Sequence, residues 1–303
     1  MDIAIMIEGQ NGLNWPRWQR IARAVEDLGF AGLYRSDHFT NTAPPDIDSL
    51  ELWISFAWLA SHTSRIAFGS MVSPVSFRNP VFTARMAKDV DDLSGGRLVL
   101  GVGAGWQQRE HTNFGFDLLE VPERFTRFEE GLEVITRLLR SDEPVDFSGN
   151  YYQLHEAILM PRPHRPGGPP VLIGGNGEKR TLPLVARFAD EWNGVFLPPA
   201  RYRVLNQRLD ELLQQQGRAP QTVRRSLMTR VIYGRTDEAI AAQLAPMQAT
   251  AAEARQRGVV IGRGQALTDQ LGQIAEAGAQ RIMLQWMDLD DLDGLAGLAA
   301  EVL

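Results

Sequence analysis

Six groups of residues that could do chemistry stand directly after short apolar runs in this 303-residue chain. They are Glu8 with Gly9, Asp37 with His38, Ser70 and Met71 with Ser73, Gly103 to Trp106, Gly174 to Gly177, and Gln285 with Trp286. Among them His38 is the one imidazole, able to hold or release a proton near neutral pH. A lone histidine bonded to a neighbouring backbone group is the equally simple alternative. Gly174-Gly175-Asn176-Gly177, with Lys179, Arg180 and Thr181 next to it, offers free N–H groups and a helix start to a phosphate. An ordinary strand-to-helix turn would have the same look, although three glycines in four positions exceed what a turn needs. The chain has no cysteine, no histidine pair at metal-ligand spacing and no G-x-S-x-G elbow. Thiolate, metal and serine-nucleophile chemistry are therefore disfavoured. A site so poor in acids and nucleophiles commonly lends its scaffold to a cofactor that carries the reaction.

The richest of these groups lies in Arg97–Phe116, RLVLGVGAGWQQREHTNFGF. Its first half is an uninterrupted apolar run that suits a strand buried on both faces. The run then breaks into Gly101, Gly103 and Gly105, which let the backbone turn sharply or admit a flat ligand close to the main chain. Ala104 lies between them. The third glycine of G-x-G-x-x-G is missing and no G-x-x-x-x-G-K-[ST] occurs, so neither a dinucleotide fingerprint nor a P-loop is present. Trp106 and Trp286, at strand ends, are pocket candidates, whereas Trp15, Trp18, Trp53 and Trp58 fall at helical spacing and read as core or interface. His111 beside Glu110 suits a substrate or phosphate role, or else a solvated pair.

What must position these residues is a regular alternation. Strands are expected at 3–7, 32–37, 65–74, 98–102, 170–177, 191–197, 226–234 and 281–287. Amphipathic helices stand between them, such as Trp18, Ile21, Ala22, Val25 and Leu28 between an Asn14 N-cap and a Gly29 C-cap. Eight strand–helix pairs in one domain over residues 1–303 argue for an α/β (β/α)8 TIM barrel, in which strand ends converge on one face. Insertions are expected after strand four and near strand seven, at about 106–125 and 141–170. An open doubly wound sheet has the same periodicity. The 44% hydrophobic content supports one large core, and 31 basic against 37 acidic residues with no basic block argue against a nucleic-acid partner. The first ten residues, MDIAIMIEGQ, read as a strand and not a signal peptide. No apolar stretch reaches the roughly 18 residues of a membrane span, so a cytoplasmic protein is expected.

With strand ends and turns assigned, the chain resembles the luciferase-like monooxygenase superfamily, in particular its coenzyme F420-dependent oxidoreductases. The resemblance is carried by Ser36-Asp37-His38-Phe39, Ser73-Pro74 with Arg78-Asn79-Pro80, Gly95-Gly96-Arg97 leading to Leu100–Trp106, the ERFTRFEEGLEVI helix from Glu123, and Ile173-Gly174-Gly175 with Ala189–Asn193. It implies a flavin-type ring at the C-terminal face of a barrel, against a non-prolyl cis peptide expected at Ser70–Met71 with Ser73 nearby. Carried over, Asp37 and His38 face the ring as catalytic residues, Gly103, Ala104 and Gly105 approach it, and Gly174, Gly175, Asn176 and Gly177 take the phosphate. Phe39, Trp106, His111 and Trp286 line the substrate side. The implied reaction is hydride transfer between F420 and a small organic substrate, with another enzyme supplying reduced cofactor and with a homodimer as the assembly. The alternative is an FMN-dependent two-component monooxygenase using O2, and a lesser one is a non-catalytic ligand-binding barrel. In related sugar-phosphate dehydrogenases an acidic glutamate follows G-x-G. Trp106 stands there in this chain, which argues against a sugar phosphate.

Overall fold

The computed structural model describes every residue, Met1–Leu303. Its strands are β1 (Asp2–Ile7), β2 (Gly32–Arg35), β3 (Ala67–Ser70), β4 (Ser73–Pro74), β5 (Leu98–Gly103), β6 (Val145–Ser148), β7 (Gln153–Ala157), β8 (Val171–Gly174), β9 (Glu191–Val195), β10 (Arg224–Ile232), β11 (Val260–Ile261) and β12 (Arg281–Gln285). Eight of them pair in parallel in the order β1, β2, β3, β5, β8, β9, β10, β12, and β12 pairs back onto β1. That last pairing closes a (β/α)8 barrel and excludes the open sheet. β4 prolongs β3 along β5, β6 and β7 form an antiparallel hairpin, and β11 lies outside β10.

The helices are α1 (Trp15–Leu28), α2 (Leu52–His62), α3 (Pro80–Leu93), α4 (Gln108–Phe114), α5 (Val121–Arg140), α6 (Thr181–Phe188), α7 (Pro199–Gln215), α8 (Asp237–Leu244), α9 (Ala251–Gln256), α10 (Gln265–Glu276) and α11 (Leu292–Val302). Local rules set several of their ends. Asn14 Oδ1 accepts from Arg17 N at 3.2 Å, and Gly29 takes φ 96° to end α1. Asn79 caps α3 ahead of Pro80. No helix is long and apolar enough to cross a membrane.

Strand alternation divides the apolar residues into two layers. Ala4, Met6, Tyr34, Met71, Val99, Leu172, Met228 and Met283 point into the barrel and form one cluster. Their neighbours, such as Ile5, Leu33, Leu227 and Leu284, point outward and pack under the helices. The barrel is therefore filled up to its C-terminal mouth, and a site can open only above that layer.

Three segments carry structure of their own beyond the plain alternation. Residues 106–125 contain α4 and the first residues of α5. The segment at 141–170 holds the β6–β7 hairpin ahead of β8, the fifth barrel strand, and the extra structure near strand seven is α8, α9 and β11. The helix that follows strand seven, α8, stops after Leu244 because Pro246 lacks an N–H and forces a single 3-10 turn.

Candidate active site

The C-terminal mouth holds a cleft of about 450 Å³. Its floor is the Met71–Val72 segment between β3 and β4, and this peptide bond is cis, one residue beyond the Ser70–Met71 bond expected. Gly103 is required by that segment. A Cβ on Gly103 would stand 2.6 Å from Val72 Cγ2, and one on Gly101 would collide with the Ser70 carbonyl. These glycines thus give room to a neighbouring strand, which then pushes Val72 into the cleft. Gly105 does turn the chain, with φ 85°, and exposes the rim. Ala104, Gly105, Gly174 and Gly175 line the cleft together with Val195, Met228, Arg124 and Phe125.

His38 and Trp106 form the opposite edge. His38 Nδ1 is 3.0 and 3.1 Å from the two oxygens of Glu110, whose Oε2 also accepts from Phe39 N at 3.1 Å. Glu110 is 1% exposed and is delivered by α4. Its carboxylate fixes the proton on Nδ1 and leaves Nε2 on the cleft side. Burial works against a charged His38, but the hydrogen bond and charge of Glu110, aided by Glu8 and Asp37, outweigh it and raise the pKa above the ordinary histidine value. Trp106 is 62% exposed and meets the His38 ring edge-on, with centroids 5.6 Å apart.

The remaining candidates take other places. Asp37 is buried with both oxygens committed: Arg78 grips it through Nη2 at 2.8 Å and Nε at 3.0 Å, and Ser73 Oγ donates at 3.0 Å. Asp37 and Ser73 therefore brace the loop that carries His38 and do not line the cleft. Ser70 Oγ donates to the Gly101 carbonyl at 2.7 Å behind the floor. Asn176 is spent on Val195, donating to its carbonyl at 2.7 Å and accepting from its N–H at 2.9 Å, which fastens the end of β8 to β9. Gly177 packs against Thr181 at the start of α6. Phe39 is stacked behind His38 among Phe77, Phe114 and Phe116. His111 is not part of a solvated pair. It is fully buried, donates from Nδ1 to the Gln107 carbonyl at 2.7 Å and packs on Phe77. Trp286 is 4% exposed in the core outside the cleft.

Sequence reasoning missed Glu110, Arg124, Phe125, Val72 and Met228 as cleft residues. A helix over 108–114 was the available signal for Glu110, since one turn there turns Glu110 and His111 to the same buried side. A carboxylate near the strand end is nevertheless present, supplied by Glu110 of α4 against His38.

A model of the luciferase-like monooxygenase family matches residues 1–301. The chain belongs to that family. This luciferase-like protein is 35% identical over 154 residues to an F420-dependent glucose-6-phosphate dehydrogenase of Kineococcus radiotolerans, covering 50% of this chain and 45% of the relative. It is 35% identical over 162 residues to 4-hydroxyprotoasukamycin monooxygenase of Streptomyces nodosus subsp. asukaensis, covering 54% and 42%. The matches span about half the length of these curated relatives. Among solved structures, an F420-dependent secondary alcohol dehydrogenase in complex with an F420-acetone adduct superposes with a TM-score of 0.84 at 18% identity, over 99% of this chain and 98% of the other. At that identity the likeness speaks for the luciferase-like barrel alone.

Proposed function

We propose that this protein is an F420-dependent oxidoreductase that moves a hydride between the coenzyme and a small organic substrate, with His38 as the proton partner. The observation that carries the reading is the His38–Glu110 pair, whose free Nε2 opens onto the cleft. Names of relatives that depend on F420 support the same reading. The lining suits a planar ring with an anionic tail. Met71, Val72, Val195 and Met228 offer apolar contact, the main chain is uncovered at Gly103–Gly105 and Gly174–Gly175, and Lys179 and Arg180 stand by the second turn. Met71–Val72 and the two glycine turns would hold the cofactor. Once bound, F420 supplies the carbon that accepts or donates the hydride. In the oxidising direction His38 takes the hydroxyl proton of the substrate at Nε2, and in the reducing direction it returns that proton to the carbonyl oxygen. Glu110 holds the ring in one tautomer and favours its protonated form. Trp106 and Phe125 cover the edge and limit water. A homodimer and a separate enzyme that turns over the cofactor belong to the same proposal.

The monooxygenase relative keeps a second reading open, in which FMN and O2 replace F420. Fluorescence titrations of the purified protein with F420 and with FMN separate the two. Micromolar binding of F420 with FMN much weaker is expected. The reverse order would favour the oxygen-using reading, and binding of neither would favour a non-catalytic barrel.

A further inference from the structure

Arg230 stands at the mouth of the barrel without a counterion. It lies one pleat beyond Met228 on β10, and alternation turns Ser226, Met228 and Arg230 to the barrel interior while Leu227 and Val231 face the helices. Met228 lines the cleft, and Arg230 follows two residues on along the same inner face, just beyond the residues that line the cleft itself. Its register partner is Gln285 at the end of β12. That Gln285 is bonded to Glu8, whose carboxylate amides already engage: Gln285 Nε2 donates to Oε1 at 2.5 Å and Gln10 Nε2 to Oε2 at 3.0 Å. Arg230 Nε is buried without a hydrogen-bond partner. Burial alone perturbs the guanidinium, lowering its pKa with no compensating carboxylate.

The other arginines on the inner wall and around the His38 loop contrast with it. Arg281 is paired with Glu191, and Arg78 with Asp37 and Glu51. Nε of Arg281 is buried without a partner too, but its Nη1 holds Glu191; an Arg with a buried unpartnered Nε and no counterion is costly, and such groups are retained where a ligand completes them. Resting on the oxidoreductase reading above, we propose that Arg230 is the specificity anchor of the cleft and that the substrate carries an anionic oxygen group, carboxylate or phosphate, which it receives. The fork of Arg230 would hold one end of the substrate on the β10 wall while its reacting oxygen lies toward Nε2 of His38, across the mouth. The reaction chemistry is unchanged, and Arg230 acts by selection and orientation.

The test uses matched probes that differ only in charge, with binding followed by thermal shift and by Trp fluorescence on the full-length protein. The pairs are 4-oxopentanoate with 4-oxopentanamide, benzoylformate with benzoylformamide, and glucose 6-phosphate with glucose. In the wild type at least one acid is expected to bind about tenfold or more tightly than its neutral partner, the fold-change of one charge-assisted pair. Preference within the first two pairs would assign a carboxylate, and within the third a phosphate. Arg230→Gln should abolish the preference, Arg230→Lys should keep part of it, and both should bind F420 as the wild type does. Equal binding of acids and amides by the wild type would overturn the proposal, as would an Arg230→Gln protein that keeps the preference. Weakened F420 binding by Arg230→Gln in the absence of any acid would also overturn it, by moving Arg230 to the cofactor. Because the acid–amide comparison needs no cofactor, it can hold even where F420 fails to bind, so the two readings fail separately.

Discussion

Two histidines, His38 and His111, lie on segments that pack against each other, and they differ in what they touch. His38 hands Nδ1 to a carboxylate on another element and keeps Nε2 at a cleft. His111 hands Nδ1 to the carbonyl of Gln107, four residues earlier, and is sealed by Phe77 and Phe116. A carboxylate partner favours the charged ring and tunes it, whereas a main-chain carbonyl only fixes a tautomer. Their neighbours follow the same division. Glu110 holds the cleft-side ring of one, and Phe77 and Phe116 pack the ring of the other.

The largest expected effect separates the two directly. His38→Gln keeps a donor toward Glu110 but removes the titrating group, so turnover should fall on the order of 10²–10⁴-fold while cofactor binding persists. His111→Gln should do the reverse. Loss of a fully buried, packed ring should cost about 2–4 kcal/mol in denaturant unfolding, with turnover of the folded protein nearly unchanged. Equal kinetic losses in both variants would erase the distinction. Asp37→Asn probes a third kind of group. Breaking its partly buried grip on Arg78 should lower stability by about 2–3 kcal/mol, less than a fully buried pair would lose, because Arg78 keeps Glu51. A pH–rate profile that moves in Asp37→Asn, with stability intact, would instead make Asp37 part of the chemistry.

Glu110→Gln should lower the His38 pKa, since burial then acts with less opposition. If His38 returns the proton in the reducing direction as proposed, the rate of the wild type should decline as pH rises through the raised value, and that decline should begin at lower pH in the variant. NMR titration of the ring checks the same shift without turnover. The sign for stability follows. A folded pKa raised above the unfolded value of about 6.5 means that the charged pair stabilises fully below that pH, and the contribution fades as pH climbs through the folded pKa. The gap in melting temperature between wild type and Glu110→Gln should therefore narrow from acid to alkaline pH. A constant gap would mean that Glu110 holds His38 without charging it.

Much of the barrel was legible because each strand is a short apolar run and each helix carries its stripe and caps. Asn14, Gly29, Asn79 and Pro80 mark ends by rules that act within a few residues. The site was legible only in outline. His38 and the Gly103–Gly105 turn stand at strand ends, where position alone suggests a role. Glu110 does not, since its importance arises from a contact across 72 residues. Asp37 sits next to His38 in sequence yet turns to Arg78, and no local pattern distinguishes the two directions. Gly103 stands at a close approach of Val72, which only the register of β4 against β5 reveals.

The smallest effect concerns Trp106. Its edge contact with His38 belongs to the aromatic pairs that contribute about 0.5–1.5 kcal/mol, and at 62% exposure the lower end applies. Trp106→Phe should keep an aromatic edge near His38 and change kcat/KM by about threefold or less. Trp106→Leu should lose the pair and uncover the ring, with a fall of about threefold and a melting temperature close to that of the wild type. His111 offers no parallel, because any truncation of Phe77 opens its sealed pocket and should register first as lost stability. If Trp106→Leu instead lowered the melting temperature as far as Phe77→Leu does, the rim of His38 would be part of the core, and the contrast between the two histidines would reduce to their hydrogen-bond partners alone.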